Sequence, residues 1–278
     1  MPRPYNANTY RYPNEQIILG ITLLTVIAII AITATATVCL SVIFVFGILI
    51  FGYYASRSQH QALLAHAHLV THQSEPALYP VIDQAVSRLQ VEPVQIFIVA
   101  NKTLNAYTFG MGSPKAIVLH SSLFRLMDKD ELQFIIGHEL GHVDLGHTWL
   151  NTLVGGMAGI PSTFGAAAIL ELAFRWWNRA CEYSADRAGV FACSNPNKAI
   201  SALIKLESGN NARTETDIRN AIQRIESEDD DLVNNLSELL ASHPMIVKRI
   251  EKIRKYAGSP DYHQLQSLMN QNLMRSDS

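Results

Sequence analysis

The stretch His138-Glu139-Leu140-Gly141-His142 lies within DKDELQFIIGHELGHVDLGH, residues 128–147, and has the form HExxH. Residues four apart share one face of a helix, so His138 and His142 are placed to direct two imidazoles at one ion. Glu139 lies beside the first histidine and beside any water that the ion would hold. Two histidines with such a carboxylate are typical of a zinc hydrolase, in which the glutamate is the general base. A chance match on a surface helix is the alternative.

The residues before the motif predict the helix that carries it. Asp128 and Glu131 have the D-x-x-E spacing of a capping box, which marks the start of a helix. Leu132 and Ile135 then supply one apolar side of that helix. We expect the helix to begin after Asp128 and to run to about His147, which gives the two motif histidines the geometry that they need.

A catalytic zinc site requires a third protein ligand and leaves a fourth position for water. The extended pattern HExxHxxGxxH does not supply it, because Leu145 and Thr148 occupy the positions that need glycine and histidine. His147 follows His142 by five residues and is predicted to lie off the ligand face. We therefore expect the third ligand from a later part of the chain.

Residues 178–194, NRACEYSADRAGVFACS, contain two carboxylates one helical turn apart, Glu182 and Asp186. On a helix these two side chains share one face. Glu182 is a candidate metal ligand. Asp186 is a candidate acceptor for the free N–H of a ligand histidine, which would fix the tautomer of that ring. An exposed acidic face without a metal is the alternative for this pair.

Residues 17–54 form an apolar run of 38 residues without a charged side chain. As a single helix it would be about 57 Å long, against roughly 30 Å for the hydrocarbon core of a bilayer. Two spans joined by a tight turn near residues 33–37 fit better, and one long, tilted helix is the alternative. Arg3 and Arg11 precede the run and Arg57 follows it, so the positive-inside tendency predicts that both flanks are cytoplasmic.

The composition of the 278-residue chain argues against a nucleic-acid-binding protein and against a protein held together by disulfides. The net charge of -2 gives no sign of nucleic-acid binding. The three cysteines, Cys39, Cys181 and Cys193, do not have the pattern of a disulfide framework, which favours a reducing compartment.

The rest of the sequence predicts helices and short strands. Residues 59–73 carry four histidines and are predicted to form a solvated helix, and a second helix ends near Leu89. Three apolar stretches predict strands: Gln95–Ala100, Asn105–Gly110 and Ala116–His120. Further helices are expected around residues 232–241 and 244–257.

Four motifs follow one another along the chain: NAYTFG at 105–110, HELGH at 138–142, EYSAD at 182–186 and SHPMIVKRI at 242–250. Together they resemble the HtpX-like membrane zinc endopeptidases, which are gluzincins related to the CAAX prenyl proteases. The resemblance covers about residues 95–255, together with the paired N-terminal membrane segments.

The resemblance implies one Zn²⁺ ion per chain, held by His138, His142 and Glu182. It implies that Glu139 is the general base and that Asp186 supports a ligand histidine. The implied fold is α+β: a mostly helical zincin-type (gluzincin) catalytic domain with a small sheet, preceded by an N-terminal transmembrane helical hairpin.

The same resemblance implies how a substrate is held. The strand that contains Asn105, Ala106 and Tyr107, together with the edge formed by residues 116–120, would bind an extended peptide by strand addition. His243, in the His-Pro pair, is similar to a residue that helps to stabilise the oxyanion. A contact that caps the N-terminus of a helix is the alternative for His243.

One part of the chain departs from the family pattern. HtpX-like proteins have two more membrane spans between the HExxH helix and the third ligand, whereas the uncharged run 148–170 has only 23 residues. Two spans need roughly 40 residues, and a single crossing would separate His142 from Glu182. We therefore expect the run 148–170 to form a re-entrant or interfacial hairpin, or folded core, and residues 148–177 not to cross the bilayer.

These inferences predict four parts: a cytoplasmic tail (1–16), a transmembrane hairpin of two helices (17–54), a zinc metallopeptidase domain (59–258) and a C-terminal tail (259–278). We expect a multi-pass protein of the cell inner (plasma) membrane with a cytoplasmic catalytic domain. Its partners would be the lipid bilayer and a protein or peptide substrate, either an unfolded or a membrane protein, and no nucleic acid.

Two rival functions are weaker than a zinc endopeptidase. A metal-binding but non-proteolytic membrane scaffold or adaptor would have no use for the base Glu139. A prenyl-peptide protease uses a large intramembrane chamber, for which residues 148–177 are too short.

Overall fold

The computed structural model describes residues 4–36, 67–92, 94–110, 115–150, 165–210 and 244–276, together with single residues between 43 and 65. Most of these residues are helical and four short strands form a sheet, which confirms the predicted α+β class. The helices are α1 (Glu15–Ala36), α2 (Tyr79–Leu89), α3 (Leu123–Leu126), α4 (Lys129–Asp144), α5 (Gly165–Cys193), α6 (Pro196–Asn210), α7 (Pro244–Ala257) and α8 (Pro260–Ser276). The strands are β1 (His68–Leu69), β2 (Gln95–Val99), β3 (Ala106–Phe109) and β4 (Ala116–His120).

The sheet has the strand order β1-β2-β4-β3. Strand β4 runs parallel to β2 and antiparallel to β3, so its backbone is paired on both sides. The prediction that residues 116–120 offer an edge is therefore wrong. The two edge strands of the described sheet are β1 and β3, and of these it is β3 that contains the predicted substrate residues Ala106 and Tyr107.

Strand β1 lies where the sequence predicts a helix over residues 59–73. His68 pairs with Ile98 of β2, and Leu69 pairs with Phe97, in antiparallel register. The prediction is wrong at these two residues because pairing with a distant strand overrides the local preference for a helix.

Helix α4 begins as the sequence predicts. The Asp128 side chain accepts the backbone N–H of Glu131 at 3.0 Å, and the Glu131 side chain accepts the backbone N–H of Asp128 at 2.8 Å. This reciprocal pair is a capping box, so two N–H groups that lack a partner within the helix are satisfied. The helix ends at Asp144 rather than near His147, and Gly146 follows with a positive φ of 78°.

Helices α4 and α5 pack closely because glycines of α4 face small residues of α5. A Cβ added at Gly137 would lie 2.4 Å from the Cβ of Ala192, and one added at Gly141 would lie 2.6 Å from the Cβ of Ala188. Both distances are too short for real Cβ atoms, so only glycine fits at these positions. The close approach brings the HExxH helix against the helix that carries the EYSAD motif.

The N-terminal segment is part of the folded domain. The sequence assigns residues 1–16 to a tail, but Tyr10 is completely buried in the main core and the Tyr5 hydroxyl donates to the backbone carbonyl of Arg88. Helix α1 follows, and its residues Glu15–Ile32 are long and apolar enough to cross a membrane. Residues 33–36 are helical rather than a turn, and most of the predicted second span lies outside the described residues.

The C-terminal region also differs from the predicted tail at 259–278. Residues 260–276 form α8, and its side chains Tyr262, Leu265 and Met269 are buried in the main core. The spacing of these three residues is that of one helical face, so α8 packs as an amphipathic helix.

Candidate metal centre

Three side chains from α4 and α5 converge on one point. The two Nε2 atoms of His138 and His142 are 3.3 Å apart, and the carboxylate oxygens of Glu182 lie 3.6 Å from the first and 3.5 Å from the second. A tetrahedral zinc ion with bonds of about 2.0–2.2 Å holds its ligand atoms about 3.4 Å from one another. The structure thus brings together the three residues that the sequence selects, and their spacing fits zinc.

Asp186 supports His138, one turn along α5 from Glu182. It is buried, and its Oδ1 lies 3.1 Å from His138 Nδ1. Burial alone would raise the pKa of Asp186, but the Arg249 guanidinium and His138 hold it below its ordinary value. The ionised carboxylate can only accept, so Nδ1 of His138 carries the proton and Nε2 keeps its lone pair for a metal.

Arg249 of α7 joins the two carboxylates of this site. Its Nη2 and Nε donate to Asp186 at 2.6 Å and 2.8 Å, and its Nη1 lies 3.1 Å from Glu182. Burial alone would raise the pKa of Glu182, but Arg249 and the two histidines hold it well below its ordinary value. Glu182 is therefore an anion at neutral pH and ready to bind a cation.

His142 has a different support. Its Nδ1 lies 3.0 Å from Nδ1 of His147, and Nε2 of His147 lies 3.1 Å from a carboxylate oxygen of Glu15. Burial lowers the pKa of His147 to about 4, so this ring is neutral at pH 7. His147 does not reach the ligand triangle itself.

Glu139 is buried in the same place without being one of the three candidate ligands. The Thr108 hydroxyl on β3 donates to the Glu139 carboxylate and lies 3.3 Å from the Glu139 backbone carbonyl. The contact holds the carboxylate beside the metal position and joins it to the edge strand.

The site opens into a cleft of about 390 Å³. The histidines, Glu139 and Glu182 form one part of its wall, and β3 with the residues just before it forms another. The predicted substrate-strand residues all line the cleft: Asn105, Ala106 and Tyr107. Phe134, Leu203 and Ile246 add apolar surface.

Comparison with known proteins assigns the chain to a family. The sequence model of peptidase family M48 matches residues 72–257, which is more than half of the chain and includes His138, His142 and Glu182. The chain belongs to peptidase family M48. An Arabidopsis thaliana protein named plastoglobule-localized metallopeptidase 48, chloroplastic, is 29% identical to the M48 chain over 203 residues. That alignment covers 68% of the M48 chain and 59% of the plant protein, so the chain spans less than two thirds of this relative.

Microbial relatives carry the name protease HtpX homolog. Those of Pyrococcus abyssi and Streptococcus thermophilus are each 26% identical to the M48 chain. The first alignment covers 69% of the M48 chain and 77% of the relative, and the second covers 67% and 75%. These relatives place the M48 chain among the HtpX-like metallopeptidases.

Four residues of the M48 site are absent from the sequence-based prediction or have another role there. Arg249 lies inside the SHPMIVKRI motif, and this position is the signal in the sequence that could have identified it as a site residue. Thr108 lies inside NAYTFG, and its contact with Glu139 depends on the position of β3. His147 lies off the ligand face, as predicted, but contacts His142. Glu15 has no signal in the sequence beyond being the last charged residue before the apolar run. His243 and residues 151–164 lie outside the described residues.

Proposed function

We propose that this chain is a membrane-anchored, zinc-dependent endopeptidase. The observation that carries the proposal is the ligand triangle of His138, His142 and Glu182, with spacings of 3.3–3.6 Å, and with Glu139 beside it in an open cleft. Family M48 supplies independent support, because its matched relatives are named as a metallopeptidase and as HtpX proteases.

The roles of the side chains follow from their positions. Bound zinc lowers the pKa of a water molecule and polarises a carbonyl. Glu139 accepts the proton of the attacking water and passes it to the leaving amine, as a general base and then a general acid. Thr108 orients the Glu139 carboxylate, and Asp186 orients His138. His243 is proposed to stabilise the oxyanion.

The substrate is an extended peptide segment. Strand β3 lies at an edge of the described sheet and lines the cleft with the preceding Asn105, which supports the addition of a peptide strand beside the metal position. Residues Asn105, Ala106 and Tyr107 would supply backbone groups for this pairing. Because such pairing needs an extended backbone, unfolded proteins and loops of membrane proteins are the proposed substrates.

The anchor is proposed to be a hairpin of two spans over residues 17–54. Glu15, at the start of α1, contacts His147, so the N-terminal end of the first span lies on the same side as the catalytic domain. We place that side in the cytoplasm and the protein in the cell inner membrane. In a cysteine-free background, Asn8→Cys and Ser267→Cys should both resist an impermeant thiol reagent until the cells are opened. Labelling of both positions in intact cells would place the catalytic domain outside.

The test of the chemistry is Glu139→Gln. This variant should keep one zinc per chain while cleavage of an unfolded protein falls by about 100- to 10,000-fold, because the general base is lost. Lys129→Gln, at an exposed residue of the same helix, is the matched control and should cleave like the wild type. Cleavage by Glu139→Gln at the wild-type rate would refute the mechanism. A wild-type protein that binds zinc but cleaves nothing would favour a non-proteolytic scaffold.

A further inference from the structure

A chain of buried contacts runs from the metal ligand His142 to the first residue of the membrane helix. His142 Nδ1 lies 3.0 Å from His147 Nδ1, and His147 Nε2 lies 3.1 Å from Glu15 Oε1. The side chains of His147 and Glu15 are each only 2% exposed. Glu15 lies outside residues 72–257, which are the residues that the family model matches.

Glu15 is itself held in place by the segment that precedes α1. The Arg11 guanidinium and the Ser184 hydroxyl both donate to its carboxylate. The backbone N–H of Tyr12 donates to the Ser184 hydroxyl oxygen at 2.7 Å. Every polar atom in this path therefore has a partner, and the carboxylate has a fixed orientation.

The direction of the hydrogen bonds follows from the acceptors. The Glu15 carboxylate can only accept, so it takes the N–H of His147 Nε2. With that proton on Nε2, the His147 ring has its lone pair on Nδ1, which accepts the N–H of His142 Nδ1. His142 is left with its lone pair on Nε2, which is the atom that faces Glu182 and His138.

A second metal ion at this position is the competing interpretation, because Glu15, His147 and Cys181 also lie close enough to share one. A metal on Nε2 of His147 would leave the proton of that ring on Nδ1, facing Nδ1 of His142. His142 would then have a metal on one nitrogen and no proton on the other, which is an imidazolate. The hydrogen-bonded path requires no such anion.

We infer that Glu15, acting through His147, is a positioning residue for the metal ligand His142. The first residue of the membrane anchor thus contributes to the metal centre. The inference rests on the proposed zinc site. It means that the anchor does more than attach the enzyme to the bilayer, because its first residue fixes the tautomer and the ring orientation of a ligand.

The experiment measures zinc affinity by competition with a chelator, using the full-length protein in detergent. Glu15→Ala and His147→Phe should each weaken zinc binding by about 10- to 100-fold, as loss of such support does elsewhere. Glu15→Gln keeps an oxygen that accepts the His147 N–H but loses the charge, so the expected loss is about threefold to tenfold. If Glu15→Ala does not fold, Glu15→Gln carries the test, because it preserves the side-chain volume.

The double variant Glu15→Ala/His147→Phe separates positioning from packing. If Glu15 acts through His147, the double variant should bind zinc within about twofold of His147→Phe alone. Tyr5→Phe is the control, since it removes another contact of the same N-terminal segment far from the metal position, and it should bind zinc like the wild type.

Three results would overturn the inference. The first is wild-type zinc affinity in Glu15→Ala or, where that variant does not fold, in Glu15→Gln. The second is a double variant whose loss is the product of the two single losses. The third is a wild-type protein that binds two zinc ions, one of which is lost in Cys181→Ser. A wild-type protein that binds no zinc would instead refute the proposed function, and the inference with it.

Discussion

His138 and His142 face the same metal position, but their second ring nitrogens meet different partners. His138 contacts the carboxylate of Asp186 directly, at 3.1 Å, and Arg249 holds that carboxylate. His142 contacts the neutral ring of His147, at 3.0 Å, and a carboxylate follows only at the next step. Both paths end at a carboxylate paired with an arginine, one inside the catalytic domain and the other in the N-terminal segment.

The two histidines are therefore not equally tied to the catalytic domain. A hydrogen bond to a charged acceptor is roughly twice as strong as one between neutral groups, so His138 is expected to be the more rigid ligand. The orientation of His142 depends on how the N-terminal segment packs. Zinc affinity should therefore respond more strongly to changes around His138 than to changes around Glu15.

The largest effect is expected for Glu182→Ala, because Glu182 contacts both histidines. The variant should lose stoichiometric zinc, since two histidines alone do not complete a site. Metal analysis of the purified protein is the measurement, and Glu251→Ala, at an exposed position on α7, is the control. Full zinc content at wild-type affinity in Glu182→Ala would mean that a different residue is the third ligand.

The next largest effect is expected for the loss of Arg249, the cation between the carboxylates of Glu182 and Asp186. Arg249→Met should lower the free energy of unfolding of the zinc-free protein by about 3 kcal/mol at pH 7, because two anions then lack their partner. The lowered pKa values of Glu182 and Asp186 stabilise the wild type above about pH 4, and this stabilisation is lost as the pH falls through them.

The difference between wild type and Arg249→Met should accordingly shrink as the pH falls from 7 towards 3. Denaturant unfolding of the two zinc-free proteins at a series of pH values measures this difference in the free energy of unfolding. A difference that stays constant over this range would show that Arg249 stabilises the fold by packing and not by its charge.

Asp186→Asn and Glu15→Gln compare the two supports directly. Each change removes one charge and keeps the shape of the side chain. Asp186→Asn should weaken zinc binding by about 10- to 100-fold, against about threefold to tenfold for Glu15→Gln. Equal losses, measured by chelator competition, would remove the distinction between the two histidines.

The smallest effect on zinc binding is expected for Gly141→Ala, which acts through the packing of α4 against α5. The added methyl group would meet the Ala188 Cβ at 2.6 Å and push α4 and α5 apart. Such overpacking costs about 1–3 kcal/mol of unfolding free energy. Because Glu182 and Asp186 would both move away from their histidines, we expect weaker zinc binding as well. A variant with lower thermal stability but unchanged zinc affinity would contradict this.

The parts of the molecule that the sequence predicts are those where local rules apply. The capping box at Asp128 and Glu131 lies within four residues, and the pair Glu182 and Asp186 follows helical periodicity. The motif helix and the 244–257 helix were predictable for the same reason. The class of the fold follows from these elements together with the short apolar strands.

The remaining features depend on contacts between distant residues. Glu15 and His147 are 132 residues apart in sequence, and no local pattern indicates that they meet. Strand β1 has only two residues, in a stretch with helical character, and is determined by its pairing with β2. The position of β4 inside the sheet was missed because strand order is not encoded within any single strand.

Side chains along β3 alternate between two environments. Thr108 reaches Glu139, whereas Tyr107 packs with Phe97 and Val118 on the opposite face of the sheet. Because side-chain direction repeats every two residues, a slip of β3 by one residue would exchange these faces. An aromatic ring would then replace the hydroxyl beside Glu139, and the outward N–H and C=O groups of the edge would change places. The length of the loop before β3 therefore determines whether Thr108 can reach Glu139, although no residue of that loop belongs to the candidate metal site.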